Sequence, residues 1–193
     1  MNARHIKLPD ETYEFIKGEA AHLLMKYRLN HLPISGFEIA ARMGVTLIPY
    51  SAFQKDEIIT LMNTIEDGFF LESESQDYIY YNNIDCCYER QNWTILHEIG
   101  HIVLDHIRGD PQEEAEANFF AKYIIAPPVL LDKLKAKSPM DICLFFDISR
   151  EAAIYQFQYY LKWSWIVHNT GHLKEYDQQL LQLFNEIQKK EIA

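Results

Sequence analysis

His97-Glu98-Ile99-Gly100-His101 is the one segment whose residue types and spacing spell out a reaction. On a helix, side chains four residues apart share a face, so both imidazoles can reach one metal ion. Neutral imidazole is a good ligand for zinc. Glu98 follows His97 directly, where its carboxylate can reach a coordinated water rather than the metal. Zinc lowers the pKa of such a water toward about 7, and a carboxylate can then take its proton. With eight His and seventeen Glu in 193 residues, the pattern would arise by chance roughly 0.03 times. The flanks Trp93-Thr94-Ile95-Leu96 and Ile102-Val103-Leu104 are apolar, as a buried reactive helix requires.

A catalytic zinc takes three protein ligands and keeps one position open. His106 lies about 180° from His97 around an uninterrupted helix, so a solvated or capping role near the helix end is expected for it. The segment after Asp110-Pro111 offers three acids. Glu113 suits the third helical position as partner of the Asp110 cap. Glu114 lies about 200° from Glu116 and is expected to face water. Glu116 sits between Ala115 and Ala117, one turn before Phe120, where small neighbours permit close helix approach. A carboxylate on that face is costly unless paired or metal-bound. Glu116 is therefore the expected third ligand.

The elements that must position these groups follow from periodicity. Apolar spacing predicts helices over about 10–29, 37–43, 55–65 and from Asp85 or Asn92 to about His106. Asp110-Pro111-Gln112-Glu113 opens a further helix that Pro127-Pro128 closes. Ser138-Pro139 and Ser149-Arg150-Glu151 start two more, in a helix–turn–helix outline, and a last helix runs through Leu173, Leu180 and Phe184. Residues 163–167 read equally as strand or helix. Val45–Tyr50, Phe69–Leu71 and Tyr78–Asn82 alternate or are β-branched and aromatic, predicting three strands. The expected class is α+β: mostly helical, with a small three-stranded antiparallel sheet and a C-terminal helix pair. One domain over 1–193 is expected.

The run from Trp93 to His101, followed by Glu116-Ala117-Asn118-Phe119-Phe120-Ala121 and Ile125-Ala126-Pro127, resembles the ImmA/IrrE-type zinc metallopeptidases. Weaker likeness extends to Phe37–Val45, Asp67-Gly68, Ile79–Asn82 and Ser149–Ala153, covering about 35–160. Trp93 stands where Phe is commoner, and Ile124-Ile125-Ala126 replaces a Leu-Leu-Met ending. The resemblance implies a zincin-like core, one zinc per chain held by His97, His101 and Glu116, and Glu98 as catalytic base. It also implies a substrate class: helix–turn–helix repressors of mobile elements or stress-response loci, inactivated by cleavage. Residues 163–193 are an extension whose role it leaves open.

Composition bounds the alternatives. A net charge of -10, from 18 Lys+Arg against 28 Asp+Glu, argues against direct nucleic-acid binding. The paired helices over 139–161 carry few cations, so packing is expected of them rather than DNA reading. No apolar run is long enough to span a bilayer, and the basic start lacks the apolar stretch of a signal peptide. Three cysteines, two adjacent, make no disulfide framework. A cytoplasmic location is expected. Ile79, Tyr80 and Tyr81, in the strand leading to the zinc helix, are the expected substrate-binding edge, adding a peptide to the sheet. Tyr80, Tyr81, Tyr88, His168 and His172 all remain open as oxyanion donors. The rival classes are a metal-binding module that captures a transcription factor without cutting it, and a hydrolase of non-peptide amides.

Overall fold

The computed structural model describes residues 6–64, 67–84, 86–107 and 109–190. The expected helix end at Ile65 and the cap at Asp85 lie outside them, as do residues 1–5. In chain order the elements are α1 (Asp10–Lys26), α2 (Gly36–Met43), β1 (Thr46–Pro49), α3 (Lys55–Thr64), β2 (Gly68–Leu71), β3 (Tyr78–Tyr81), α4 (Tyr88–Val103), α5 (Pro111–Ile125), α6 (Pro128–Lys133), α7 (Pro139–Phe146), α8 (Arg150–Thr170) and α9 (Glu175–Lys190). The fold is α+β. Among the described residues, no helix is long and apolar enough to cross a membrane.

The chain divides into two compact units, Met1–Thr12 with Ser35–Ala121, and Tyr13–Ile34 with Lys122–Ala193. The first holds the sheet, α2, α3, α4 and most of α5. Local chemistry sets its boundaries. The Ser35 hydroxyl accepts from the Glu38 N–H at the start of α2, and Gly44 ends that helix in the left-handed region at φ 80°. Asn92 does not cap α4 but lies buried within it, its Oδ1 accepting from the Gly36 N–H at 2.6 Å. That bond ties α2 to α4.

The sheet is mixed rather than antiparallel. Its order is β1-β3-β2, with β1 parallel and β2 antiparallel to β3. A short turn joins β2 to β3 and forces them to run oppositely. α3 intervenes after β1 and carries the chain back, which is what a parallel neighbour needs. β3 is therefore central. Gly68 opens β2 against α4: a Cβ there would come within 2.6 Å of Thr94 Cγ2 and of the Tyr80 carbonyl oxygen.

The second unit is helical. α6 packs on α8 and α9, and α7 on α8. α6 follows Pro127 with Pro128 at its first position, a six-residue helix that periodicity missed because it is too short for one. Residues 163–167, which read equally as strand or helix, are helical and lie inside α8.

Candidate active site

α4 carries His97, Glu98 and His101, and Gly100 brings α5 against it. A Cβ on Gly100 would sit 3.0 Å from Phe120 Cδ1 and 3.3 Å from Ala117 Cα, so α5 packs at glycine distance. Ala117, Phe120 and Ala121 form the buried face of α5. Glu114 lies about 60° from Ala117 around the helix and Glu116 about 100° on the other side.

That difference sets which acid faces the two histidines. His97 Nε2 and His101 Nε2 lie 3.1 Å apart. Glu114 Oε2 is 3.4 Å from His97 Nε2, and its Oε1 is 3.5 Å from His101 Nε2. Tetrahedral zinc with bonds near 2.0–2.1 Å separates its ligand atoms by about 3.3–3.4 Å, so two ring nitrogens and one carboxylate converge at the right spacing. Among the described residues these three form the group that can hold a metal ion. Glu116 does not join them. Its Oε2 lies 3.1 Å from His106 Nε2 and its Oε1 accepts from Gln112 Nε2 at 2.9 Å. The small neighbours of Glu116 misled, whereas spacing back from Ala117 and Ala121 points to Glu114.

His106 also departs from expectation. α4 ends at Val103, and Asp105 turns left-handed at φ 56°. The Asp105 N–H donates to the Ile102 carbonyl at 3.3 Å and the His106 N–H to the His101 carbonyl at 3.0 Å. This is a Schellman closure made without glycine. It folds His106 back, buried, with its Nδ1 3.0 Å from His101 Nδ1. Glu113 has the structural role foreseen for it: Asp110 Oδ1 accepts from the Glu113 N–H at 3.0 Å, while Glu113 Oε2 accepts from the Gly109 N–H.

Glu98 is buried, and burial pushes its carboxyl up to about 7 against the pull of His97 and of a backbone hydrogen bond from Phe70. His101 is pushed down to about 4, first by burial and then by His97, which keeps its ring neutral near pH 7. Tyr50, fully buried and electrostatically coupled to Glu98, was not singled out by any spacing. A cleft of about 450 Å³ opens over these groups, lined by Gly68, Phe69 and Phe70 of β2 with Glu98, His101 and Glu114.

β2 therefore flanks the cleft, and the expected edge on β3 is overturned. Ile79 is fully buried, and β3 is paired along both sides. Tyr80 stacks on Phe69 at 4.6 Å, Tyr81 meets Phe37 edge-on at 5.5 Å and Tyr88 stacks on Phe37 at 5.7 Å. None of the three tyrosines lines the cleft. His168 and His172 belong to the second unit and are exposed.

A His-Glu-x-x-His helix, a carboxylate from the following helix and a flanking strand together define a metallopeptidase type of site. Residues 60–158 match peptidase family M78, the IrrE N-terminal-like domain, over more than half of the chain, and the chain belongs to that family. No curated protein sequence matches it.

Proposed function

We propose that the chain is a zinc-dependent endopeptidase in which His97, His101 and Glu114 hold the metal and Glu98 moves the proton. The observation that carries this reading is the convergence of two Nε2 atoms and one carboxylate beside a buried carboxyl, at the wall of a cleft. A bound zinc would polarise a peptide carbonyl and acidify water at the position that the three ligands leave open. Glu98, with a proton affinity near neutrality, takes the proton of the attacking water and delivers it to the leaving amine nitrogen.

The substrate class we propose is a helix–turn–helix repressor, following the family resemblance, cut in an extended, accessible segment. β2 is the strand that would receive it. Among the described residues its strand partner is β3 alone, so its other side is a sheet edge at the cleft. Main-chain pairing reads no side chains, so selectivity would come from docking the whole partner. The charge of -10 favours a basic DNA-binding protein, with association fastest at low salt.

The test combines metal analysis with cleavage. Purified protein should hold one zinc per chain, and it should cut an intact repressor encoded nearby far faster than a mixture of unstructured peptides. Absence of stoichiometric metal after zinc is added back sinks the metallopeptidase reading. Stable binding of the repressor without cleavage supports a capture module instead. Rapid digestion of arbitrary peptides removes the substrate proposal alone.

A further inference from the structure

We infer that His106 and Glu116 act as positioning residues that fix the tautomer of His101 and thereby raise the affinity of the site for its metal. The inference rests on the ligand set proposed above. Three groups stand in a row: Glu116 Oε2 lies 3.1 Å from His106 Nε2, and His106 Nδ1 lies 3.0 Å from His101 Nδ1. Both imidazoles are buried. A contact between two ring nitrogens needs one proton, and either ring can supply it.

Glu116 removes that ambiguity. A carboxylate only accepts, so His106 must carry its proton on Nε2 and donate it to Glu116. A neutral His106 then presents a bare Nδ1, which can only accept. His101 must in turn place its proton on Nδ1, leaving the Nε2 lone pair free. That nitrogen is the one 3.1 Å from His97 Nε2 and 3.5 Å from Glu114 Oε1. The polarity runs one way, from His101 Nδ1–H through His106 to Glu116, and the free lone pair always faces the metal position.

The main chain locks the geometry. The Schellman closure of α4 bonds the His106 N–H to the carbonyl of His101 itself, at 3.0 Å. The two residues are therefore joined through backbone and ring together, and Asp105 in the left-handed region makes that possible. His97 has no comparable support, because its buried Nδ1 meets no partner among the described residues. The orientation of one ligand is fixed and that of the other is not, so loss of the His106 support should be felt in binding. Groups that orient a metal-bound histidine in this way are typically worth about 10- to 100-fold in affinity.

The experiment measures zinc affinity of the full chain by competition with a chromophoric chelator, together with the visible spectrum of the cobalt(II)-substituted protein. His106→Leu removes the acceptor and should weaken zinc binding by about 10- to 100-fold. His106→Asn places an oxygen near the former Nδ1 and should recover part of that loss. Glu116→Gln leaves an acceptor but no longer enforces direction, and should cost about tenfold. Glu116 acts only through His106, so His106→Leu with Glu116→Gln should bind no more weakly than His106→Leu alone. The cobalt spectrum should keep its coordination signature in every one of these variants, because no ligand has been removed.

Wild-type affinity in both His106 variants and in Glu116→Gln would overturn the inference while leaving the metal site standing. A wild-type chain that binds no metal brings down the metallopeptidase reading and this inference with it. A changed coordination signature in Glu116→Gln would make Glu116 a ligand and also overturn the inference. Glu116 is partly exposed, so its variant decides the matter even where a His106 variant does not fold.

Discussion

Glu98 and Glu114 are carboxylates beside the same two imidazoles, yet their surroundings drive them apart. Burial raises Glu98 to about 7, whereas hydrogen bonding to His97 holds the half-exposed Glu114 below its ordinary range. One group suits proton transfer and the other suits lasting charge on a cation. Glu98→Gln should therefore keep zinc and lose about 100- to 10,000-fold in cleavage, measured by metal analysis and by turnover of an intact substrate. Glu114→Gln should lose the metal. Glu113→Gln should keep it, at a stability cost near 1 kcal/mol from the weakened Gly109 bond, read from a urea midpoint. Equal metal loss at 113 and 114 would reject the ligand choice. The His97–His101 pair was legible in the sequence because i, i+4 geometry is purely local. Glu114 was legible too, at i−3 from Ala117 and i−7 from Ala121, but only to a reader who located the packed face first. His106 was not, since its position depends on a left-handed Asp105 where glycine is the usual signal.

Strand existence is a local property and strand order is not. Alternation and aromatic content located all three strands, but pairing is set by the path of α3 and by the packing of Gly68 on Thr94, neither of which leaves a pattern in the sequence. The consequence for β2 can be tested on its backbone. The Asn82 N–H donates to the Asp67 carbonyl at 2.8 Å, and antiparallel pairs alternate, so Phe69 and Leu71 bond to β3 while Gly68 and Phe70 face the open edge. The Phe70 main chain accordingly reaches Glu98. Phe70→Pro removes no bond to β3 but does remove the one its N–H donates to the buried Glu98, and should cost on the order of 1–3 kcal/mol in stability. It should also cut cleavage more than tenfold, whereas Phe70→Leu, which keeps the N–H, should stay active. Proline at Ile79, between two partners, should instead unfold the sheet. Near-normal cleavage by Phe70→Pro would show that this edge receives no peptide.

For the molecule as a whole, charge acts on stability through pH, and one buried carboxyl of the second unit gives a case apart from the metal site. Asp177 is buried in α9, with Trp163 Nε1 donating to its Oδ2 at 3.2 Å and its Oδ1 meeting no partner among the described residues. Burial raises its carboxyl to about 6, from an ordinary value of 3.8, against the lowering pull of Trp163 and Lys17. Below the lower value both folded and unfolded chains hold the proton. Between the two values the folded chain keeps it while the unfolded chain releases it, so stability falls as pH rises. Above about 6 the folded chain carries a buried charge and the loss is complete. A shift of this size corresponds to something on the order of 2–3 kcal/mol. Asp177→Asn cannot titrate, yet its amide oxygen can still accept from Trp163. Any fixed cost of burying the amide is the same at every pH. The stability of the variant relative to wild type should therefore rise by on the order of 2–3 kcal/mol between pH 4 and pH 8, with most of the rise complete by about pH 6.5. Urea unfolding of both proteins across that range, followed through tryptophan fluorescence, measures the difference directly. A difference that stays flat with pH would mean that Asp177 is ionised as easily in the folded chain as in water.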